Sequence, residues 1–185
     1  MTAGKRMFLF LDCEWADVPE PELVSIALVG REGEPFFYAE CEQLPSPAPL
    51  FVQQSVYPLL ERGAAAPSGL ALTQALRDFV GAASNPVVVA DYPLDFELLH
   101  DALGGLGLLA SDRMGLGPAP AFEAQLVSGH PLQAAIEARF SADPRTAAHR
   151  HHALVDARVL RDAWLALRAE HSTAEIPQAA SKAAT

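Results

Sequence analysis

Cations are scarce in this chain. Lysine and arginine together number 13 against 23 acids, a formal charge of −10 over 185 residues. That balance excludes a broad basic surface able to hold duplex nucleic acid without specificity. It does not exclude nucleic acid held through divalent cations, which invert the sign of a local site. Cysteine is rarer still. Cys13 and Cys41 show no metal-ligand spacing and are too few for a disulfide framework, so both are read as reduced thiols at strand positions. Long apolar runs are also missing. No stretch reaches membrane-spanning length, and the run that begins at Met7 stops at Asp12, too short for the core of a signal peptide. A cytoplasmic protein with no membrane contact is the default expectation. With no internal repeat and no linker, residues 1–170 are expected to form a single domain. The small, Ala-rich segment 171–185 is expected to be a frayed, flexible tail.

Hydrophobic residues, by contrast, make up 50% of the chain, enough for a sizeable core. Their spacing predicts a mixed α/β organisation. RMFLFLDC, ELVSIALVG and PFFYAEC read as three strands with short links, an antiparallel meander turned at REGE. LFVQQSVYPLLERG and GLALTQALRDFVGAAS have helical spacing, the second with Leu72, Leu76, Phe79 and Val80 on one stripe. Val87 to Ala90 is a short, fully apolar run, expected in the sheet centre and parallel to the first strand. A helix closed by Gly104 should follow. Residues 105–122 read as mostly irregular with room for one more strand, and helices are expected over HPLQAAIEARF and ALVDARVLRDAWLALRAEH.

The carboxylates stand out against this background. Asp12 and Glu14 end the first strand two residues apart, so they share a face. Two neighbouring acids repel, and burial worsens the repulsion, so a positive group should sit between them. Asp91 and Asp95 follow the next apolar strand, and ligands of open α/β sheets gather at such strand ends. Asp156 lies on the inward stripe of the last helix with Leu160, Ala163 and Leu167. Oxygen donors from three segments suit Mg²⁺ or Mn²⁺ better than zinc. Each acid also has a plainer use. Asp12 could cap a turn, Asp91 could cap the helix that Pro93 opens, and Asp95 and Asp156 both favour a helix dipole.

HRHHALVDA adds a base. His151 and Asp156 are five apart, a rotation of about 140° within a helix, so they would not share a helical face. If His151 precedes the helix, it can fold over the acids and take a proton from water. Against this stands a solvated cluster, because His149 and His152 flank it. A zinc site from these histidines is a weaker alternative, with no cysteine near.

Taken together, three stretches resemble the motifs of the DEDDh 3′–5′ exonucleases. LDCEW resembles a strand ending in Asp, any residue, Glu. YPLDFELL resembles a hydrophobic residue and an acid opening a helix. HHALVDARVL resembles His, four residues, then Asp-Ala. They occur in the family's order and span Asp12 to Asp156. The pairing of LDCEW with ELVSIALV, followed by FVQQSVYPLL, looks closest to the small bacterial RNase AS-like exoribonucleases. The resemblance implies an RNase H-like fold with a five-stranded mixed sheet, three antiparallel strands and then parallel ones, flanked by helices. It implies two Mg²⁺ or Mn²⁺ ions held by Asp12, Glu14, Asp95 and Asp156, with His151 as general base. Asp95 is preferred to Asp91 because Leu94 takes the place of the hydrophobic residue before the family's acid. The implied reaction releases nucleoside 5′-monophosphates from the 3′ end of single-stranded nucleic acid, RNA ahead of DNA. Cys13 and Trp15 replace the threonine common near the first motif's Glu and are expected beside the substrate. Trp15 would stack on a terminal base or else serve as a core ring.

Two rivals remain. A haloacid-dehalogenase-type phosphatase wants Asp, any residue, Asp, whereas the second acid here is Glu14. A non-catalytic nucleic-acid-binding module on the same fold would tend to have lost an acid. The sequence leaves the oligomeric state open, a homodimer included.

Overall fold

The apolar run at the start of the chain forms the middle of a five-stranded mixed sheet. In the computed structural model, which describes residues 5–17, 19–105 and 107–174, β1 (Met7–Asp17) pairs antiparallel with β2 (Pro21–Gly30). β2 pairs antiparallel with β3 (Phe36–Glu40). Helix α1 (Gly69–Ala82) leads into β4 (Pro86–Ala90), which lies parallel to β1. Helices α2 (Pro93–Gly104) and α3 (Ala110–Gly115) precede β5 (Glu123–Leu126), parallel to β4. Helices α4 (His130–Ala142), α5 (Pro144–Ala148) and α6 (Ala153–Ala174) complete the described chain. The strand order is β3-β2-β1-β4-β5.

Alternation along β1 sorts its side chains between two cores. Leu9, Leu11 and Cys13 pack with Leu76 and Val80 of α1 and Leu98, Leu99 and Leu103 of α2. Phe10 faces the other way, into Leu132, Ile136 and Phe140 of α4 and Leu160 and Trp164 of α6. The sheet is therefore buried on both faces, which explains the near-continuous apolar reading of β1 and β4. Asp12 and Glu14 continue the Phe10 side, so they meet α6.

Several expectations need correction. Residues 50–63 do not form one helix. They make a π-helical turn (Val52–Val56) and 3₁₀ turns (Tyr57–Leu59 and Gly63–Ala65). Pro58 has no N–H for a helical ladder, and Leu60 is extended. The buried Glu40 carboxylate instead accepts from the backbone N–H groups of Glu61 (2.6 Å) and Arg62 (3.0 Å). The residue that closes α2 is Gly105, not Gly104. Its φ of 72° is left-handed, and an added Cβ would come within 2.8 Å of Leu108 Cδ1. The segment 105–122 contains α3, and the extra strand lies just beyond it, at β5. Asp143 caps α5 by accepting from Arg145 and Thr146, an Asp-Pro start that the spacing of apolar residues does not reveal. Residues 171–174, expected in the tail, are helical; the remainder of that tail lies outside the described residues. Among the described residues no helix is long and apolar enough to cross a membrane.

Candidate active site

The carboxyl end of β1, the start of α2 and the start of α6 converge on one point. Glu14, Asp156 and His151 each offer a ligand atom there, all within 4.8 Å of one another. Glu14 is buried, and Asp156 and His151 are half-buried. The register of β1 against β2 slips between Glu14 and Trp15. Such a bulge bends the strand and re-aims the side chains around it, here beside the acids.

Asp12 and Asp95 stand outside that tight group of three but share its field. Burial raises the Asp12 carboxyl well above its ordinary value, and the charges of Asp156, Glu14, Asp95 and Asp91 push it further. Burial, then Asp156 and Asp95, raise Glu14 to about 8. Asp95 is also pushed up to about 8, first by burial and then by Asp91. Asp156 is raised to about 7 by burial, while the His151 N–H and the Arg150 charge hold it down. Four acids with values lifted in one place will titrate as a set.

Two oxygens of this set, Asp12 Oδ2 and Asp156 Oδ1, are buried without a hydrogen-bond partner among the described residues. A buried carboxylate oxygen with neither donor nor cation is costly. An all-carboxylate donor set with orphaned oxygens fits a hard divalent cation such as Mg²⁺ or Mn²⁺. The residues that could hold it are Asp12, Glu14, Asp95 and Asp156.

Asp95 sits in the first turn of α2, 2% exposed. Its Oδ1 accepts from the Cys13 backbone N–H at 3.2 Å, so α2 is pinned to β1 beside the acids. Asp91 does not cap α2: the residue at that position is Tyr92, without a side-chain cap. Asp91 instead accepts from Gln133 Nε2 of α4 at 3.3 Å. It is near enough to raise Asp12, Asp95 and Asp156, yet it is tied to a side chain that Asp95 lacks.

His151 lies in the turn before α6, as its spacing from Asp156 requires. Its backbone is left-handed, with φ 73°, an uncommon and strained conformation for a side chain of this kind. The N–H of His151 donates to Asp156 Oδ2 at 3.1 Å, and the Phe51 ring meets its imidazole edge-on at 4.9 Å. Burial, and then the Arg150 charge, lower its pKa below the ordinary histidine value. It is therefore neutral near pH 7, as a proton acceptor must be.

The expectation for Cys13 needs correction. Its side chain is 2% exposed and belongs to the core under α1 and α2, away from any substrate; its backbone N–H and its thiol both meet Asp95. Trp15 is half-buried, and its ring stacks on Tyr92 at 5.6 Å and 13°. Tyr92, 54% exposed, carries the solvent-facing aromatic surface there. The flanking histidines also differ from a solvated cluster. His149 is exposed, but His152 is only 7% exposed. Tyr92, Phe51 and His152 were not identified from the sequence. For Tyr92 the available signal was its place between Asp91 and Asp95.

This electrostatic arrangement predicts an unusual pH dependence for the metal-free protein. Glu14, Asp95 and Asp156 have folded values near 8, 8 and 7, above the 4.5 and 3.8 of free carboxyls. The native state therefore binds more protons than the unfolded chain between those limits, and stability falls as pH rises through them. Melting temperature in EDTA should drop between about pH 5.5 and about pH 8.5, and Mn²⁺ should restore it most at the upper end. A metal-free melting temperature that climbs with pH over this range would contradict the cluster. No family model matches this chain, and no curated protein matches it.

Proposed function

We propose that the chain is a metal-dependent 3′–5′ exoribonuclease of RNase H-like fold, with Asp12, Glu14, Asp95 and Asp156 as cation ligands and His151 as general base. The observation that carries this reading is the pair of orphaned buried oxygens, Asp12 Oδ2 and Asp156 Oδ1, inside a set of mutually repelling acids. Such a set ionises fully near neutral pH only when positive charge offsets the repulsion. The order of the strands and the three sequence motifs supply the rest of the support. Two cations, when bound, supply Lewis-acid stabilisation of the charge that develops on a phosphodiester.

The chain's own residues do the remaining work. The neutral His151 imidazole accepts a proton from the attacking water. The new bond forms between water oxygen and phosphorus, the bond from phosphorus to the 3′ oxygen breaks, and the leaving oxygen takes a proton from solvent. The product is a nucleoside 5′-monophosphate. The Asp156 carboxylate orients the base by accepting the His151 N–H. The exposed rings of Tyr92, stacked on Trp15, and Phe51, against His151, offer surfaces on which bases can stack. RNA is preferred to DNA on the resemblance alone, so both belong in the test.

A free 3′ hydroxyl end should be required. A 3′-phosphorylated oligomer should be cleaved far more slowly than its dephosphorylated twin, and a circular single strand should survive intact. Internal cutting of the circle would make the protein an endonuclease. Saturable Mn²⁺ binding with no hydrolysis of any RNA or DNA end would favour the non-catalytic binding module.

A further inference from the structure

The residue after the general base is as informative as the base itself. His152 is almost fully buried. Its ring stacks on Tyr38 of β3 at 4.6 Å and 23°, and its Nε2 lies 3.6 Å from a carboxylate oxygen of Glu61. Tyr38 is held through its hydroxyl and Glu61 through its backbone. The Tyr38 hydroxyl donates to Glu40 at 2.7 Å, and that same carboxylate, fully buried, takes the Glu61 and Arg62 backbone N–H groups. Arg62 closes the group through its side chain, donating to Glu40 and to the carbonyls of Cys41 and Glu42. The edge strand, the irregular 57–65 segment and the start of α6 are thus joined through one buried acid and one imidazole.

His152 also sits at the junction that sets the site. Its carbonyl accepts from Val155 (2.8 Å) and Asp156 (3.0 Å), and its N–H donates to the His149 carbonyl (3.1 Å). Asp156 has the packed body of α6 behind it, with Ala153 and Ala157 fully buried. His151 lies ahead of that body, held by its N–H to Asp156 and by the Phe51 ring, and its left-handed backbone needs further over-determination to persist. Two neighbours could provide it. Arg150 on one side pairs with Glu137 of α4 at 2.6 and 3.0 Å, but both side chains are substantially exposed. That pair is bidentate and Arg150 also lies over the Phe140 ring at 4.8 Å, so it ties the turn to α4, but from a solvent-facing position where screening weakens it. On the other side, His152 is itself only 7% exposed, stacked on the Tyr38 ring, with its Nε2 turned to the more exposed Glu61 carboxylate.

We propose that His152 is a positioning residue. Through its Tyr38 stack and Glu61 contact it splints the turn that holds the His151 imidazole over the acids. It touches neither substrate nor metal. The inference rests on the reading of His151 as general base, and it deepens that reading.

Its consequence is a loss confined to the chemical step. Small misplacements of a reacting group can cost about 10²-fold. His152→Ala should lower kcat by roughly 10–10²-fold with KM little changed. His152→Phe, which keeps a ring on Tyr38, should recover most of that loss. Tyr38→Ala, which removes the stack from the other side, should reproduce it, and the double variant should be little worse than either single one. Arg150→Ala should cost much less.

A readout independent of turnover comes from NMR of the metal-free protein. The His151 Cε1–H resonance, assigned by its loss in His151→Ala, should carry the ring-current shift of Phe51. It should move toward the free-histidine position in His152→Ala and Tyr38→Ala and return in His152→Phe. If His152→Ala melts too low to study, Tyr38→Ala and the phenylalanine variant carry the comparison. An unchanged His151 resonance and unchanged kcat in the folded variants would overturn the proposal. A wild-type protein that shows the resonance shifts but hydrolyses nothing would instead refute the nuclease reading while leaving the splint intact.

Discussion

Asp12→Ala and Asp156→Ala are each expected to bring hydrolysis down to background while the fold stays intact. Both acids have a buried oxygen that no donor among the described residues satisfies; Asp12 is raised by its acidic neighbours, and Asp156 raises both Asp12 and Glu14. Removing either one relieves repulsion in a metal-free protein. The effects on activity and stability should therefore have opposite signs. Near pH 8 in EDTA the variants should melt at or above the wild-type temperature, and Asp12→Asn, which leaves no cavity, is the cleaner case. With Mn²⁺ the order should reverse, because the wild type gains stability from binding that the variants have lost. Melting curves with and without Mn²⁺, beside turnover on a labelled oligomer, test both halves. Full activity in either alanine variant would remove that acid from the ligand set.

His151→Ala should lower the rate by about 10²–10⁴-fold, the usual contribution of general acid–base help, while Mn²⁺ affinity barely changes. His151 lies within 4.8 Å of Glu14 and Asp156 through its ligand atom, so a nitrogen donor to the metal is the competing role. The two roles separate cleanly. A base leaves its mark on the acidic limb of the pH–rate profile, which should flatten in the variant. Because burial and the Arg150 charge lower the His151 value, that limb should lie on the acid side of an ordinary histidine titration. A ligand leaves its mark on the binding isotherm. Calorimetry of Mn²⁺ together with single-turnover rates decides between them, and a large loss of metal affinity would reassign His151 to the metal.

The acids were legible in the sequence because their spacing is fixed by local geometry. Asp12 and Glu14 had to share a face of a strand, and that face had to meet whatever helix covered Phe10. His151 had to leave the helix because five residues rotate too far. What the sequence hid was set by contacts between distant segments. Alternation puts the Cys13 side chain with Leu9 and Leu11, but nothing near it says that its N–H serves Asp95, 82 residues later. Helical spacing over residues 50–63 was real, but Pro58 and the buried Glu40 carboxylate overruled it. The burial of His152 was hidden for the same reason, since Tyr38, the ring it stacks on, lies on an edge strand far away in sequence. The plainer use offered for Asp91, an N-cap, does not hold: Tyr92 takes the cap position and the Asp91 carboxylate meets Gln133 of α4.

The most direct test of the central claim is digestion of a 5′-labelled single-stranded RNA, with EDTA in one arm and Mn²⁺ in the other. A protein whose acid cluster works as a cation-dependent exonuclease will leave the RNA intact in EDTA. In Mn²⁺ it will shorten the RNA stepwise from the 3′ end, with nucleoside 5′-monophosphates as the only small product. An RNA left intact in Mn²⁺ under conditions where calorimetry shows the metal bound, or one cut into internal fragments, would contradict it.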